Sequence, residues 1–281
     1  MMINKRVALV TGASSGIGEA IAHKLVAAGY RVYGTSRRGG QTGQAGQRGF
    51  PLLVLDVTDD ASVEAAIHEL LTLEGRIDLL VNNAGFGIAP AAAEESSVEQ
   101  AKALFDTNFL GIVRMTRAVV PHMRRQGAGR IINIGSILGV VPVPYAALYS
   151  ASKHAVEGYS QALDHELRTH GIRVTVVEPG YTKTQFENNN LQPDAKLDVY
   201  EDIRTTVTKV VNQAMATADG PDVVAEVVLQ VARAEYPKLR YTAGKAAGQL
   251  QFMRSFAPAR LLDMGIRRAL QLETKRPSQA H

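Results

Sequence analysis

Six apolar runs of strand length recur along the chain: Val7–Val10, Arg31–Ser36, Leu52–Asp56, Ile77–Val81, Arg130–Ile134 and Ile172–Val177. They are nearly continuous in Val, Ile and Leu, as expected of strands covered on both faces of a parallel sheet. Between them, apolar residues fall at helical spacing. Val63, Ile67, Leu70 and Leu71 make one such stripe behind Thr58-Asp59-Asp60, a capping turn. Ser96 and Glu99 read as a capping box opening a long helix that stops near Gly127. Val199, Ile203, Val207, Val210 and Val211 predict a helix over Leu197–Met215, and another follows at Pro221–Arg233, then a short final strand, Leu239–Thr242. The Gly- and Gln-rich Gly39–Gly49 and the polar Thr182–Asp194 read as loops. This β-α-β-α rhythm predicts an α/β fold, a doubly wound parallel sheet flanked by helices with right-handed crossovers. No repeat or linker divides the chain, so residues 1–281 are expected to form a single domain, with a substrate lid at 181–217 and a C-terminal apolar helical extension at 245–281.

Composition narrows the chemistry. The chain has 281 residues, 46% of them hydrophobic, enough for one well-buried domain. There is no cysteine, which removes disulfides, thiolate metal sites and cysteine nucleophiles and suits a reducing compartment, the cytoplasm. The seven histidines show no ligand spacing, so no metal is expected. The net charge of +4 comes from scattered basic residues with only 6% aromatics, a poor pattern for nucleic acid. The start, Met1 to Val7, is charged too early for a signal peptide. No apolar run approaches the roughly 18 residues of a membrane span.

Thr11-Gly12-Ala13-Ser14-Ser15-Gly16-Ile17-Gly18 follows the first strand and opens the first helix. There Gly12 permits the tight turn, Gly16 lets backbone approach a phosphate and Gly18 allows close helix packing, so a pyrophosphate would sit on the helix N-terminus of a Rossmann-type nucleotide site. Gly12, Ser14, Ser15, Gly16, Ile17 and Gly18 are therefore expected to line a cofactor. After the second strand, where an acidic residue would select NAD, stand Thr35-Ser36-Arg37-Arg38. Two guanidinium groups and no acid suit a 2′-phosphate, which points to NADP(H), with Arg37 as clamp and Arg38 as helper. The plainer alternative is that one arginine is only a solvated loop charge. Asp56 and Val57, after the third strand, are placed to meet the adenine.

Tyr149 and Lys153 stand one helical turn apart, with Ser136 upstream at the end of an apolar run. A cation beside a phenol favours the phenolate, which makes Tyr149 a candidate general acid/base. Tyr145, a rival phenol, has no lysine one turn later and is assigned with Tyr181 to the substrate-pocket wall. His154 faces away from Tyr149 and reads as a packing or surface residue.

These residues, in order and spacing, resemble the short-chain dehydrogenase/reductase family over nearly all of the chain to about Thr184. Asn82-Asn83-Ala84-Gly85 is similar to the family's motif after the fourth strand and implies that Asn83, Ala84 and Gly85 border the cofactor. Asn108 matches the family's helix asparagine, Ser136 its catalytic serine, and Tyr149 with Lys153 its Tyr-x-x-x-Lys pair. Pro179-Gly180, with Thr182 and Thr184, resembles the segment that meets the nicotinamide amide. The resemblance implies reversible hydride transfer between NADP(H) and a carbonyl. Ser136 and Tyr149 would bind the carbonyl oxygen, Tyr149 would donate the proton, Lys153 would tune the phenol and hold the ribose, and Asn108 would hold a water leading to solvent. It also implies a homodimer or homotetramer built on the helices Ser97–Gln126 and Tyr149–His170.

The tail is longer than the family's minimal fold and carries Leu250, Phe252, Met253, Phe256, Leu261, Leu262, Met264 and Ile266, with Arg254, Arg260, Arg267 and Arg268. It is expected to pack on the body as a greasy cover, in preference to lying on a membrane. Tail and cofactor loop look similar to the hydroxysteroid-dehydrogenase-like branch, which implies a lipophilic small-molecule ketone, aldehyde or alcohol as substrate. Rival readings are a 3-oxoacyl-thioester reductase, a non-catalytic NADP(H)-binding sensor and, on the same scaffold, an isomerase or epimerase.

Overall fold

The structure, a computed structural model, describes residues 5–38, 49–184 and 190–272. Most of the expected 39–49 loop, the middle of the 182–194 loop and the end of the 245–281 extension lie outside the described residues.

Among the described residues seven strands pair in parallel: β1 (Val7–Val10), β2 (Arg31–Ser36), β3 (Leu52–Val54), β4 (Leu79–Asn82), β5 (Gly129–Ile134), β6 (Ile172–Pro179) and β7 (Arg240–Ala243). Their order is β3-β2-β1-β4-β5-β6-β7. The order reverses between β1 and β4, and a crevice at such a switch point is where ligands bind in open α/β sheets. The helices are α1 (Gly16–Ala27), α2 (Asp60–Glu74), α3 (Val98–Phe105), α4 (Gly111–Gln126), α5 (Ala147–Leu167), α6 (Glu201–Ala216), α7 (Pro221–Arg233), α8 (Lys245–Phe256) and α9 (Ala259–Ala269).

The continuous apolar strands are explained by two cores, one on each face. Ala8 and Val10 of β1 pack with Ile21 and Leu25 of α1 and Val224 and Val228 of α7. Val7 and Leu9 point the other way, toward Ile67 and Leu70 of α2, Met115 and Val119 of α4, and Leu163 of α5. At about 1.5–3 kcal/mol for each large side chain fully buried, these two layers hold the sheet rigid beneath its loops.

Local chemistry sets the element ends. Asp59 caps α2 through its carboxylate, which accepts from the Ala61 N–H at 3.1 Å, and Gly75 and Gly127 end α2 and α4 in the left-handed conformation. The long helix expected to stop near Gly127 departs from expectation at its start. Ser97, not Ser96, is the N-cap, its hydroxyl accepting from the Gln100 N–H at 3.2 Å. Ser96 instead ends a 3₁₀ turn, Ala93–Glu95. The helix is also interrupted: Asp106–Leu110 forms a π-helical turn between α3 and α4.

The tail forms α8 and α9, separated at Pro258. The start of α8 is anchored where Ala247 is buried against Gly180. Beyond that the expected cover is not made. Phe252 and Phe256 on α8 and Leu261 and Met264 on α9 are exposed, and α9 buries none of its residues. No helix among the described residues is long and apolar enough to cross a membrane.

Candidate active site

β1 delivers the chain into the glycine turn at the carboxyl end of the sheet. The turn is held from both sides. From β2, Thr35 accepts the Gly12 N–H on its hydroxyl at 3.3 Å and the Ala13 N–H on its carbonyl at 2.9 Å. From the segment after β4, Asn83 donates its side-chain amide to the carbonyls of Thr11 and Gly12 at 2.9 and 3.1 Å, and its backbone N–H to the Thr11 hydroxyl at 2.9 Å. That hydroxyl also accepts from the Ala84 N–H at 3.0 Å. Gly12 and Gly16 have φ of 64° and 61°, the region glycine enters without strain. Gly18 is needed for a different reason: a Cβ there would stand 2.4 Å from the Gly12 carbonyl oxygen and 2.5 Å from Asn83 Nδ2.

Ser15 occupies the N-cap of α1 without a side-chain capping bond, so its hydroxyl does not take up the helix's first N–H groups. They face a cavity of about 630 Å³ lined by Ser14, Ser15, Gly16, Glu19, Lys183, Thr184 and Met215. An anionic pyrophosphate fits this cradle, with backbone donors and a helix dipole on one wall and the Lys183 ammonium on another. Lys183 was not singled out by sequence; a lysine in a polar, asparagine-rich loop gives no local signal. Thr184 faces Gly16 across the cavity, where a Cβ on the glycine would come within 3.3 Å of the threonine Cβ.

Arg37 and Arg38 lie exposed just past β2, and the Arg38 N–H donates to the Ser36 hydroxyl at 3.2 Å. Asp56 accepts from the Thr58 N–H and hydroxyl at 2.9 and 2.7 Å. Burial acts to raise its pKa, but those two bonds and the charges of Arg37 and Arg114 outweigh it and hold the carboxyl below its usual range. Val57 is buried beside Gly111, whose Cβ would stand 2.8 Å from a Val57 methyl.

Ser136 leaves the end of β5 as the cap of a 3₁₀ turn, Ile137–Gly139, its hydroxyl accepting from the Leu138 N–H at 3.1 Å. Tyr149 and Lys153 rise from the first turns of α5. Lys153 is 6% exposed; its ammonium donates to the Ile134 carbonyl at 3.0 Å and lies 5.7 Å from the centre of the Tyr149 ring. The expectation that the cation lowers the phenol's pKa is reversed by desolvation. Burial pushes the Tyr149 phenol up to about 12, eased by its hydrogen bond with Ser136. Burial likewise pushes Lys153 down to about 8, opposed by the negative charge of Glu157 one turn further on.

Asn108, buried in the π-helical turn, accepts from the Phe86 N–H at 3.0 Å and donates to the Phe86 carbonyl at 2.9 Å and to Ser152 at 3.3 Å. Ser152 in turn donates to the Tyr149 carbonyl at 2.8 Å. The asparagine amide thus locks the loop after Gly85 to the helix that carries Tyr149 and Lys153.

The remaining expected residues fall on the rim. Pro179 ends β6 in the core and the Gly180 N–H bonds to Ala243 at 3.2 Å, while the Thr182 hydroxyl donates to the Gly180 carbonyl at 3.1 Å. Tyr181 is 43% exposed. Tyr145 has φ of 64°, a strained conformation for a bulky residue, and its carbonyl accepts from the Ala91 N–H at 3.0 Å.

The segment expected to form a lid is tied along the loop after β4. Leu191 pairs with Gly87 and Ala89 through its backbone, and the Ser97 N–H and hydroxyl donate to Asp194 at 2.8 and 2.5 Å. Glu95, fully buried, accepts from the Ala92 and Leu197 N–H groups at 2.8 and 2.9 Å and forms an ion pair with Arg204 of α6. Burial raises its pKa, but these partners outweigh that and keep it ionised.

A parallel sheet with a glycine turn at its switch point, and a Ser-Tyr-Lys cluster at the turn after β5 and the start of α5, is the frame of a dinucleotide-dependent oxidoreductase. The chain belongs to the short-chain dehydrogenase/reductase family: the short chain dehydrogenase profile matches residues 6–195. It is 45% identical over 185 residues to a 3-ketodihydrosphingosine reductase of Bacteroides thetaiotaomicron, a match covering 66% of each chain. Among solved structures it is similar to a short-chain dehydrogenase from Streptomyces avermitilis, with a TM-score of 0.81 and 30% identity over 97% of this chain and 100% of that one. It is also similar to the closed form of a serine dehydrogenase complexed with NADP+, with a TM-score of 0.71 and 31% identity over 84% of this chain and 93% of that one. The protein is an oxidoreductase of this family.

Proposed function

We propose that the protein is an NADP(H)-dependent reductase of a lipophilic ketone or aldehyde, running in reverse as a dehydrogenase of the secondary alcohol, and that it works as a homodimer or homotetramer. The observation that carries this reading is that Ser136, Tyr149 and Lys153 lie on two elements, the end of β5 and α5, tied to each other by the Lys153–Ile134 bond and through Asn108 to the loop after Gly85. NADP(H) rather than NAD(H) is supported by Arg37 and Arg38, exposed where the ribose edge of the nucleotide would lie, with no acidic residue at the end of β2 itself. A lipophilic substrate is supported by the relative named as a reductase of 3-ketodihydrosphingosine.

A bound nicotinamide would supply or accept the hydride. The protein's own part is to manage the oxygen. Ser136 and Tyr149 present hydroxyls to the carbonyl oxygen, where negative charge develops, and such donors stabilise the transition state more than the ground state. Tyr149 then gives up its proton. A phenol held near 12 is fully protonated at neutral pH, the form an acid needs. The Lys153 ammonium, fixed by Ile134, is the charge that meets the phenolate as it forms.

The test is a spectrophotometric screen of NADPH and NADH oxidation against lipophilic ketones, aldehydes and acyl thioesters. Turnover of the lipophilic carbonyls with NADPH preferred is expected. Turnover of the thioesters alone would move the assignment to an oxoacyl-thioester reductase, and dinucleotide binding without any turnover would leave a sensor.

A further inference from the structure

Two carboxyl groups are buried behind the catalytic cluster, and the reaction described above uses neither. Glu157 lies one helical turn after Lys153 on α5 and is 5% exposed; Glu178 lies on β6 beside Pro179 and is 0% exposed. Among the described residues no hydrogen-bond donor reaches Glu157 Oε1 or either oxygen of Glu178. The nearest cation besides Lys153 is Arg240 on β7, whose Nε stands 3.9 Å from Glu157 and 4.0 Å from Glu178, too far for a good hydrogen bond and partly open to solvent. Two ionised carboxylates facing each other so deeply, with one distant guanidinium, would be strongly unfavourable. Both oxygens of a carboxylate are acceptors, so two such groups bond only if one carries a proton.

The surroundings show that the place is shaped for them. A Cβ at Gly135 would stand 3.1 Å from Glu157 Oε1, and one at Gly139 would stand 3.3 Å from Glu157 Cγ and 2.9 Å from the Lys153 carbonyl oxygen. Gly135 and Gly139 flank the turn that carries Ser136. Glu157 therefore lies under both the serine-bearing turn and the lysine-bearing helix. The charged groups acting on this region are Lys153 and Glu157 from α5, Glu178 from β6 and Arg240 from β7. The turn Gly135–Gly139 adds no charged group.

We propose that Glu157 and Glu178 hold one proton between them and act as positioning residues: the single negative charge they retain lies behind Lys153 and keeps its ammonium protonated beside Tyr149. Charge supports the geometry. Burial, reinforced by the charge of Glu178, pushes Glu157 up to about 8, and burial raises Glu178 as well. The Glu157 charge in turn props up Lys153 against its own burial. The kinetic consequence rests on the reductase reading; the shared proton does not.

Two measurements on the full chain separate these. The first is thermal unfolding against pH for the wild type, Glu157→Gln, Arg240→Gln and the double variant Glu157→Gln/Glu178→Gln. A carboxyl whose folded pKa lies above its unfolded one stabilises at low pH and loses that contribution as pH rises through the folded value. The wild type is therefore expected to lose melting temperature between about pH 5 and 8, and the loss should vanish in the double variant. Arg240→Gln, on a partly exposed group, should move the loss to higher pH. A double variant with the wild-type loss, or an Arg240→Gln profile that does not move, would overturn the shared proton.

The second measurement is the alkaline limb of kcat/KM, where Lys153 sheds its proton. The double variant should bring this limb down by about one pH unit, a roughly tenfold loss of rate on the limb, with each single variant moving it less because one carboxylate remains. Glu157→Asp, which keeps the charge, should restore it. A limb that stays put while the melting temperature drops would show the pair to be structural only and end the proposal. Absence of turnover in the wild type would count against the reductase reading and leave the unfolding profiles to decide the proton.

Discussion

Burial drives Tyr149 and Lys153 apart in proton affinity, the phenol rising to about 12 and the ammonium falling to about 8. Two residue-scale outcomes follow. Tyr149→Phe removes the proton donor and leaves the ring's packing, so turnover is expected to fall at least a hundredfold while dinucleotide affinity, read by fluorescence titration, stays within a few-fold. Activity in the reducing direction should fall above about pH 8, because Lys153 then loses the charge that meets the phenolate. A rate that held level through pH 9 would contradict that assignment. The Tyr-x-x-x-Lys pair was legible in the sequence because its geometry is one helical turn. The direction of the phenol's shift was not, because it is set by how deeply distant parts of the chain bury the ring. Gly18 was legible for the same local reason as the pair, and Gly18→Ala is expected to weaken dinucleotide binding more than tenfold, since its new methyl would press on the Gly12 carbonyl and Asn83.

The elements show where that legibility stops. Strands and helices were readable from periodicity because the two cores impose it; strand ends came within a residue or two, while α6 starts at Glu201, four residues later than expected, and α5 ends at Leu167, three residues earlier. Ser96-Ser97-Val98-Glu99-Gln100 offers two overlapping capping registers, and the winner was decided by Asp194, which lies 97 residues away and holds the Ser97 N–H. Asp106–Leu110 reads as ordinary helix; its π-turn is stabilised by the buried bonds of Asn108 to Phe86 and Ser152. Asn108→Ala should therefore cost about 2–3 kcal/mol in urea unfolding, as buried groups of Phe86 lose their partners. The Glu95–Arg204 pair could not be read at all, since 109 residues separate its members. Removing one member of a buried pair strands the other, so Glu95→Gln should destabilise by about 3 kcal/mol and raise KM by freeing the lid. An unchanged KM with the expected loss of stability would mean that the lid does not govern substrate entry.

At the scale of the whole molecule the cofactor reading becomes a statement about linkage. The cradle at the β1–β4 switch point joins the glycine turn, the Asn83 segment and Lys183, and the proposed phosphate clamp adds the arginines after β2, so that the full ligand site would draw on four separate stretches of chain. A ligand spanning them binds only the folded protein and must raise its melting temperature. At a free concentration of about a hundred times Kd, that stabilisation is about 2.7 kcal/mol. For a chain of this size it corresponds to roughly 5–10 °C. The 2′-phosphate is the only group that distinguishes NADPH from NADH, so the difference between the two shifts at equal concentration isolates the contribution of Arg37 and Arg38. NADPH is expected to give the larger shift in the wild type. Arg37→Asp, which puts a negative charge where the phosphate would lie, should remove that advantage while leaving the NADH shift nearly intact. If the two dinucleotides protect the wild type equally, the arginines are solvated surface charges and the enzyme's choice of cofactor is made elsewhere.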